Sequence, residues 1–245
     1  MSGPRVARAT PLRVTMWTML LIPVVSQNLL FTLFAALIVL VLGGNLLYQQ
    51  SVDRRRTRDY TEHCLARGLH FEHDRPGEEA RHTATCRLFD AGHSRKWGYT
   101  ITGERGDIRY TIFEYRWTTG AGKSAQVHTI GAVLWPTTRD LPQFMLTPEG
   151  FVAKIAAWFG GQDIDFDDSP QFSDLYRLQG SNEAAVRALF AADLRHALER
   201  DSKQHVAGAG KELIWWRDGG LPPTEALDQF LMEGERIRQL FDRPA

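Results

Sequence analysis

The chain carries a long uncharged stretch near its N-terminus, since no Asp, Glu, Lys or Arg occurs in residues 14–52. Within it, residues 29–48 are an apolar run of 20 residues. As a helix this run would extend about 30 Å and match the hydrocarbon core of a bilayer. A buried core helix of this length would show a polar face. A cleaved signal peptide would end in small residues, whereas this run ends in Leu46, Leu47 and Tyr48. We therefore interpret residues 29–48 as a transmembrane helix, with the lipid bilayer as its partner.

The residues before this helix predict a separate N-terminal segment, residues 1–28, with a basic tail. Its apolar part begins at Val14 and is too short to cross a bilayer, because twelve helical residues extend only about 18 Å. Pro23, followed by Ser26, Gln27 and Asn28, predicts a break in the helix. This segment either lies in the membrane interface or re-enters the membrane and turns back, which would place both termini in the cytoplasm.

The chain beyond the transmembrane helix combines strand patterns with helix patterns. Residues 49–68 predict a basic juxtamembrane linker that continues as a helix and ends at Gly68. Runs of β-branched and aromatic residues predict strands at residues 82–89, 96–103, 107–117 and 125–135, and two short strands about a turn within 205–218. Helical periodicity predicts amphipathic helices at residues 147–161, 181–200 and 224–241. We therefore predict an α+β fold, in which residues 69–245 form one body with an antiparallel sheet and about three packed helices.

The charge balance argues against nucleic acid as a partner. The chain has 29 basic and 29 acidic side chains, and the first acidic residue is Asp53. Because three arginines precede Asp53, the rest of the chain holds 26 basic against 29 acidic groups. Such a body has no broad positive field. The only two cysteines, Cys64 and Cys86, require no disulfide and suit a reducing compartment.

The basic residues around the transmembrane helix predict its orientation. Arg54, Arg55, Arg56 and Arg58 follow the helix closely, whereas the nearest basic residue before it is Arg13. Basic residues accumulate on the cytoplasmic side of a membrane. We therefore expect a single-pass protein of the bacterial inner (plasma) membrane with its C-terminal body in the cytoplasm.

The sequence Gly-Ala-Gly-Lys occurs twice, at residues 120–123 and 208–211. A phosphate-binding loop needs an earlier glycine and a helix that begins at the lysine. The earlier position is Trp117 in the first copy and His205 in the second, and strand patterns follow both copies. We interpret both as hairpin turns and expect neither a nucleotide nor another cofactor.

The densest acidic stretch predicts either a metal site or an exposed strand. The candidate metal ligands are Asp163, Asp165, Asp167 and Asp174. A calcium loop would have glycine at its sixth place and glutamate at its twelfth, where this chain has Asp168 and Asp174. Ile164 and Phe166 alternate with the acids, which indicates a strand with one acidic face. On that interpretation the exposed carboxylates face solvent or a partner, and the candidate partner-surface residues are Asp165, Asp167 and Asp168.

Other candidate sites fail on spacing or context. Six residues that could bind zinc lie close together in sequence but lack the spacing of a structural site: His63, Cys64, His70, His73, His82 and Cys86. His93 is adjacent to Ser94, which says little about catalytic geometry. Trp215 and Trp216 cannot both point to one side of a strand. One of them is either covered by a helix or exposed to a partner, and Trp216 is the candidate partner-surface residue.

The order of these segments resembles a widespread group of bacterial membrane proteins with one N-terminal anchor. The resemblance covers residues 65–241 and is carried by LFDAGHSRKWGYTITGERGDIRYTIFEYRWTTGAGK and FMLTPEGFVAKIAAWFGGQDIDFDDSPQFSDLYRLQGSNEAAVRALF. It implies the single-pass topology, and no activity or catalytic residue comes with it.

Two functions remain open at the level of sequence. The first is a membrane-anchored cytoplasmic module, without catalytic residues, that binds a protein partner or the membrane surface. The alternative is a membrane-associated hydrolase or metal-dependent enzyme built on residues 163–174.

Overall fold

The computed structural model describes residues 18–151, 163–201 and 203–242. The chain divides into two compact units, Met1–Arg56 and Thr57–Ala245. The described part of the first unit is the apolar portion of a long helix. The second unit contains the sheet and is called the body below.

Helix α1, Thr18–Ala66, contains 49 residues. Among the described residues, one helix is long and apolar enough to cross a membrane, and the qualifying part is Phe31–Ala66. Its apolar side chains are exposed, as Phe31 at 75% and Leu40 at 71% illustrate. The break predicted at Pro23 does not occur, because the backbone is helical from Thr18 onward. A proline removes one helical hydrogen bond, which neighbouring turns of an apolar helix can accommodate. Residues 1–17 of the predicted N-terminal segment lie outside the described residues.

The last turns of α1 belong to the body. Tyr60 and Cys64 are each only 1% exposed, and the Tyr60 hydroxyl donates to the carbonyl oxygen of Pro222 at 2.5 Å. Gly68 then takes a φ of +66°, and the backbone N–H of Leu69 donates to the Cys64 carbonyl at 2.9 Å. The predicted helix end at Gly68 is therefore confirmed, since glycine adopts this left-handed conformation without a steric penalty.

The body contains one six-stranded antiparallel sheet, which confirms the α+β class. The strands are β1 His70–Glu72, β2 His93–Arg105, β3 Ile108–Thr119, β4 Gln126–Pro148, β5 Tyr176–Gly180 and β6 His205–Asp218. β4 is the central strand, and β6 pairs along one of its edges. Along the other edge, β3 pairs with the first part of β4 and β5 pairs with its last part. Leu134 therefore lies between Thr111 and Ile214, and Phe144 lies between Gly180 and Gly208.

In the described part of the chain, four α-helices lie after β4, with β5 and β6 between them. They are α2 Pro170–Leu175, α3 Glu183–Leu189, α4 Ala192–Arg200 and α5 Leu227–Asp242. The predicted helix at residues 181–200 is wrong in one respect, because it is interrupted between α3 and α4. Phe190 ends α3 and is fully buried, with its ring 5.1 Å from that of Phe144 and 5.8 Å from that of Phe241. The helix is interrupted here because Phe190 packs into the core.

Several other predicted elements differ from the structure. Residues 82–89 form no strand. They follow a 3₁₀ turn at Glu79–Arg81 and enter a second one at Arg87–Asp90, which buries the consecutive residues Leu88 and Phe89 together. Strand alternation could not bury two neighbours on one side. Thr147 and Pro148, expected to begin a helix, instead end β4. Most of that predicted helix, residues 152–161, lies outside the described residues.

The two Gly-Ala-Gly-Lys copies have different structures. The first joins β3 to β4, where Thr119 pairs with Gln126, so the predicted hairpin is confirmed. The second lies inside β6, a single strand rather than two short ones. Its Gly210 pairs with Leu141 beside an irregularity in the register with β4. The prediction of a hairpin there is wrong, because β6 continues through Gly210, whose φ is +56°, and pairs with β4 on both sides of this irregularity.

The sheet is covered on both faces. One core cluster includes Phe144, Trp215 and residues of α1, α3 and α5; the other includes Phe89, Trp117 and Trp216. Trp215 and Trp216 point to opposite faces, and both are fully buried. The proposal of Trp216 as a partner-surface residue is therefore corrected, since both faces of β6 are covered at this position.

Candidate ligand-binding cavity

The acidic stretch is extended but is not a strand of the sheet. Ile164 and Phe166 are buried at 4% and 5% exposure, whereas Asp165 and Asp167 are exposed, as the alternation predicted. The segment then turns into α2. The buried and exposed side chains were predicted correctly, but the predicted strand is wrong. The backbone of this segment makes isolated hydrogen bonds to the body and forms no continuous ladder with a strand of the sheet.

Asp163 and Asp168 make contacts within the body. Asp163 Oδ1 accepts hydrogen bonds from the backbone N–H groups of Ile164 and Leu178, each at 3.0 Å. Its partial burial raises its pKa above the ordinary value. Asp168 Oδ2 accepts from Arg195 Nη2 at 2.6 Å, and the Arg195 guanidinium lies 4.1 Å from the ring centroid of Phe166. Asp163 thus ties this segment to β5, and Asp168 ties it to α4.

The candidate metal ligands do not converge. In the part of the chain that the structure describes, no group of three or more His, Cys, Asp or Glu side chains is placed to hold a metal ion. Cys64 and Cys86 are separate buried thiols, and burial raises the pKa of Cys86 to about 12. His82 Nδ1 lies 3.0 Å from Glu212 Oε2, and this hydrogen bond lowers the pKa of Glu212. The hydroxyl of Thr85 donates to the same oxygen at 2.6 Å, so the cluster ties the 3₁₀ region to β6.

His93 and Ser94 form an exposed pair. His93 Nδ1 lies 3.1 Å from the Ser94 hydroxyl oxygen. Its Nε2 lies 2.9 Å from the Gly120 carbonyl oxygen, to which it can only donate. Nδ1 is then the acceptor in that tautomer, and the pair fastens the start of β2 to the β3–β4 hairpin.

A cavity of about 1230 Å³ lies in the body, along β4 and β6. Because these strands are antiparallel, the lining residues come in two groups. One group is from the start of β4 and the end of β6, including His128 and Arg217; the other is from the end of β4 and the start of β6, including Phe151 and His205. Trp117 at the end of β3 and Asp174 in α2 complete the lining.

Aromatic rings line much of this cavity. The rings of Trp117 and His128 stack with centroids 5.0 Å apart, and His128 Nε2 lies 2.7 Å from the Thr119 hydroxyl oxygen. The ring of His205 meets Phe151 edge-on at 4.4 Å and Trp216 at 5.2 Å. These contacts fix the ring planes and present apolar surface to the cavity.

Among the described residues that line the cavity, Trp117 and His205 each have a buried nitrogen without a hydrogen-bond partner, Nε1 and Nδ1 respectively. The same holds for Nε1 of Trp216, whose ring contacts that of His205. Other buried tryptophans are satisfied, since Trp97 Nε1 donates to Thr100 at 3.1 Å and Trp215 Nε1 donates to Gln204 at 2.7 Å. Buried polar groups in proteins are usually hydrogen-bonded, and an exception calls for a physical explanation.

His205 is a neutral side chain at neutral pH. It is only 6% exposed, and burial lowers its pKa to about 4. A neutral imidazole has one nitrogen that donates and one that accepts. The ring therefore carries one donor and one acceptor nitrogen, and Nδ1 is itself buried.

The charges around the cavity are mixed. Lys203 and Arg217 lie beside Glu149, Asp174 and Asp218. Arg217 Nη1 is 3.1 Å from Glu233 Oε2, so its charge is already paired. The cavity consequently has no excess of positive charge for an anionic ligand.

Sequence reasoning did not identify this cavity. Of its lining residues, Asp174 was predicted only as a metal ligand, and His205 was not proposed for any site. The available signal was a histidine in an otherwise apolar strand segment followed by adjacent tryptophans. The register places His205 beside the end of β4 and Arg217 beside its start, so these residues share one cavity only through the folded path of both strands.

No protein-family model matches the chain, and neither does any curated protein. Among solved structures, the chain is similar to the crystal structure of the mycobacterial trehalose monomycolate transport factor A. The identity is 12% and the TM-score 0.46, over 77% of this chain and 93% of that chain. That name describes the other protein, and at this TM-score the likeness assigns no activity to the present chain.

Proposed function

We propose that the chain is a membrane-anchored binding module of the bacterial inner membrane, with a single transmembrane helix and its body in the cytoplasm. The observation that carries the proposal is α1. Its apolar stretch exposes large side chains such as Phe31, Leu40 and Leu47 at 59% or more, which in water would be strongly unfavourable and in a bilayer is favourable.

The arginines after the apolar stretch support the cytoplasmic orientation. Arg54 and Arg55 are exposed on α1, and the side chain of Arg58 is 69% exposed. Charged groups in this position resist transfer across the membrane, and they interact with the anionic surface of the cytoplasmic leaflet.

The body binds its partner at the cavity. The partner is a protein or the membrane surface, and the cavity adds room for a small molecule beside the rings of Trp117, His128 and Phe151. The acidic stretch on which the alternative enzyme rests gives no comparable site. Asp163 accepts a hydrogen bond from the backbone of Leu178, and Asp168 accepts one from Arg195.

The test of anchoring is the fate of the N-terminus in cells. We expect the full chain to remain in membranes washed with alkaline carbonate, and its intact mass to include residues 29–48. A chain that begins at Thr57, expressed as the control, should appear in the soluble fraction. Recovery of a chain cleaved after the apolar stretch and released from the membrane would identify a signal sequence and contradict the anchor.

A further inference from the structure

We propose that Ser94 is a nucleophilic serine that accepts the acyl group of activated esters or thioesters, with the neighbouring His93 as its general base. Such a site lies outside the binding role proposed for the body, because it forms a covalent bond. Three features of the structure support it: the backbone of β2 at Ser94, the two hydrogen bonds of the imidazole, and the exposure of both side chains.

The backbone of β2 is irregular where the two side chains meet. In a regular strand, consecutive side chains point to opposite faces, so a histidine and the serine after it are kept apart. Ser94 instead has a φ of +52°, and the register with β3 shifts between His93 and Lys96. This bulge turns the Ser94 hydroxyl oxygen to 3.1 Å from His93 Nδ1. A non-glycine residue in this left-handed conformation is uncommon, and such strain often occurs at functional sites.

The imidazole is oriented as a base toward this hydroxyl. Its Nε2 lies 2.9 Å from the Gly120 carbonyl oxygen and carries the proton, because a carbonyl only accepts. Nδ1 of the neutral ring is then the acceptor that faces the Ser94 hydroxyl. When Nδ1 takes the serine proton, the same carbonyl stabilises the imidazolium through the Nε2–H group. A nucleophile, a base and a group that orients the base are the components of nucleophilic catalysis.

Both side chains are open to an acyl donor. His93 and Ser94 are exposed, and the strand register places Thr118 and then Val127 in one row with His93 across β3 and β4. Cross-strand partners point to the same face of a sheet, and Val127 is 65% exposed. This face therefore offers apolar contact to an acyl group. Arg116, exposed two positions before Thr118, brings a positive charge to the same face for the oxyanion of the intermediate.

The proposed step is a complete acyl transfer. The Ser94 oxygen attacks the carbonyl carbon of the donor while its proton moves to His93 Nδ1. The tetrahedral intermediate then expels the alcohol or thiol, which takes the proton from Nδ1. The products are O-acyl-Ser94 and the free alcohol or thiol, with no change of oxidation state. Because the site lies at the surface, the donor needs a good leaving group, as a thioester or an activated ester has.

The experiment follows acetylation of the full chain in lipid nanodiscs by 4-nitrophenyl acetate. Peptide mass spectrometry measures the rate of acetylation at Ser94 and at Ser124. Ser124 is the internal control, because it is exposed and its hydroxyl donates to the Ala121 carbonyl at 2.8 Å instead of to an imidazole. We expect Ser94 to react about 100-fold faster than Ser124, which is the effect of a general base.

Variants separate the roles of the two residues. His93→Gln keeps a side chain that can donate to the Gly120 carbonyl but removes the base, and should lower acetylation of Ser94 to the rate at Ser124. Ser94→Gly suits the left-handed backbone and should lose the adduct while the body stays folded, as circular dichroism measures. Ser94→Cys restores a nucleophile beside the base and should be acetylated faster than a cysteine in Ser124→Cys.

Each other outcome contradicts a definite part. Equal acetylation of Ser94 and Ser124 would show that Ser94 is an ordinary surface serine. If His93→Gln left the rate at Ser94 unchanged, His93 would not be its base. If Ser94→Gly still consumed the ester at the wild-type rate, with the acetyl group on His93, the imidazole alone would be the nucleophile. The binding role proposed for the body does not depend on these results.

Discussion

At the scale of single residues, His205 buries an imidazole nitrogen that has no hydrogen-bond partner. Its ring lies between Phe151 and Trp216, yet its Nδ1 has no partner. A phenylalanine could occupy the same space without an unpaired polar atom. Proteins often retain such unfavourable groups where binding requires them.

His205→Phe should therefore stabilise the unliganded protein, by about 1–2 kcal/mol, because a buried unpaired group is removed. Chemical unfolding followed by tryptophan fluorescence measures this change, with His196→Phe on the exposed face of α4 as the control. A variant less stable than the wild type would mean that His205 makes a favourable contact in the fold.

The stability of the wild type should also depend on pH through this residue. Its pKa is about 4 in the folded protein and has an ordinary value of 6.5 in the unfolded chain. Between these values the unfolded chain binds more protons, so stability falls as the pH falls from about 6.5 toward 4. His205→Phe should flatten the unfolding free energy in this window, and an unchanged slope would contradict the buried neutral imidazole.

The acidic stretch offers a second comparison between residues. Asp168→Asn should destabilise the body by about 1–2 kcal/mol, because it removes the charge that faces the buried guanidinium of Arg195. Asp165→Asn, at an exposed carboxylate only three positions away, should stay within about 0.5 kcal/mol of the wild type. Thermal unfolding of both variants measures the two effects. Equal effects would contradict a stabilising ion pair between Asp168 and Arg195.

At the scale of elements, packing overrides local rules in α5. Gly234 lies in the middle of this helix, where alanine is normally preferred by about 1 kcal/mol. A Cβ atom at this position would lie 2.4 Å from Trp135 Cη2 and 2.7 Å from Trp215 Cε3. The close approach of α5 to the sheet therefore depends on the absence of a side chain.

Gly234→Ala should destabilise the body by about 1–3 kcal/mol, because both tryptophan rings are rigid and cannot yield easily. Thermal unfolding measures the effect, with Gln239→Ala on the exposed face of α5 as the control. Stabilisation by Gly234→Ala would show that helix propensity outweighs the contact.

Elements with strong local signals were predictable from the sequence, and those set by distant contacts were not. The end of α1 at Gly68 and the strands β2 and β3 follow from glycine conformation and from β-branched and aromatic runs. The interruption at Phe190 depends on Phe144 and Phe241. The second Gly-Ala-Gly-Lys copy lies within β6 because β4 pairs with it, and the sequence pattern alone does not contain that pairing.

The cavity was less predictable than the fold. Its walls come from β3, β4, α2 and β6, so residues far apart in sequence share one surface. His205 and Trp117 have ordinary strand neighbours and no motif spacing. The acidic residues, in contrast, alternate with Ile164 and Phe166 in the sequence. This alternation was recognisable because those two apolar side chains are buried.

At the scale of the whole molecule, the chain combines an apolar helix with a body for which we propose a binding role. α1 supplies a stretch long and apolar enough to cross a membrane, and the body has an open cavity along β4 and β6. Under the proposed role, the anchor raises the local concentration of membrane-associated partners around the body.

The orientation of the body tests this account most directly. A cysteine introduced at Lys123, exposed in the β3–β4 hairpin, reports the body, and Ser2→Cys reports the N-terminus. Cys64 and Cys86 are buried and should not react. With a membrane-impermeant maleimide on spheroplasts, we predict labelling at position 2 and none at position 123 until the membrane is opened. Labelling of position 123 on intact spheroplasts would place the body outside the cytoplasm and contradict the account.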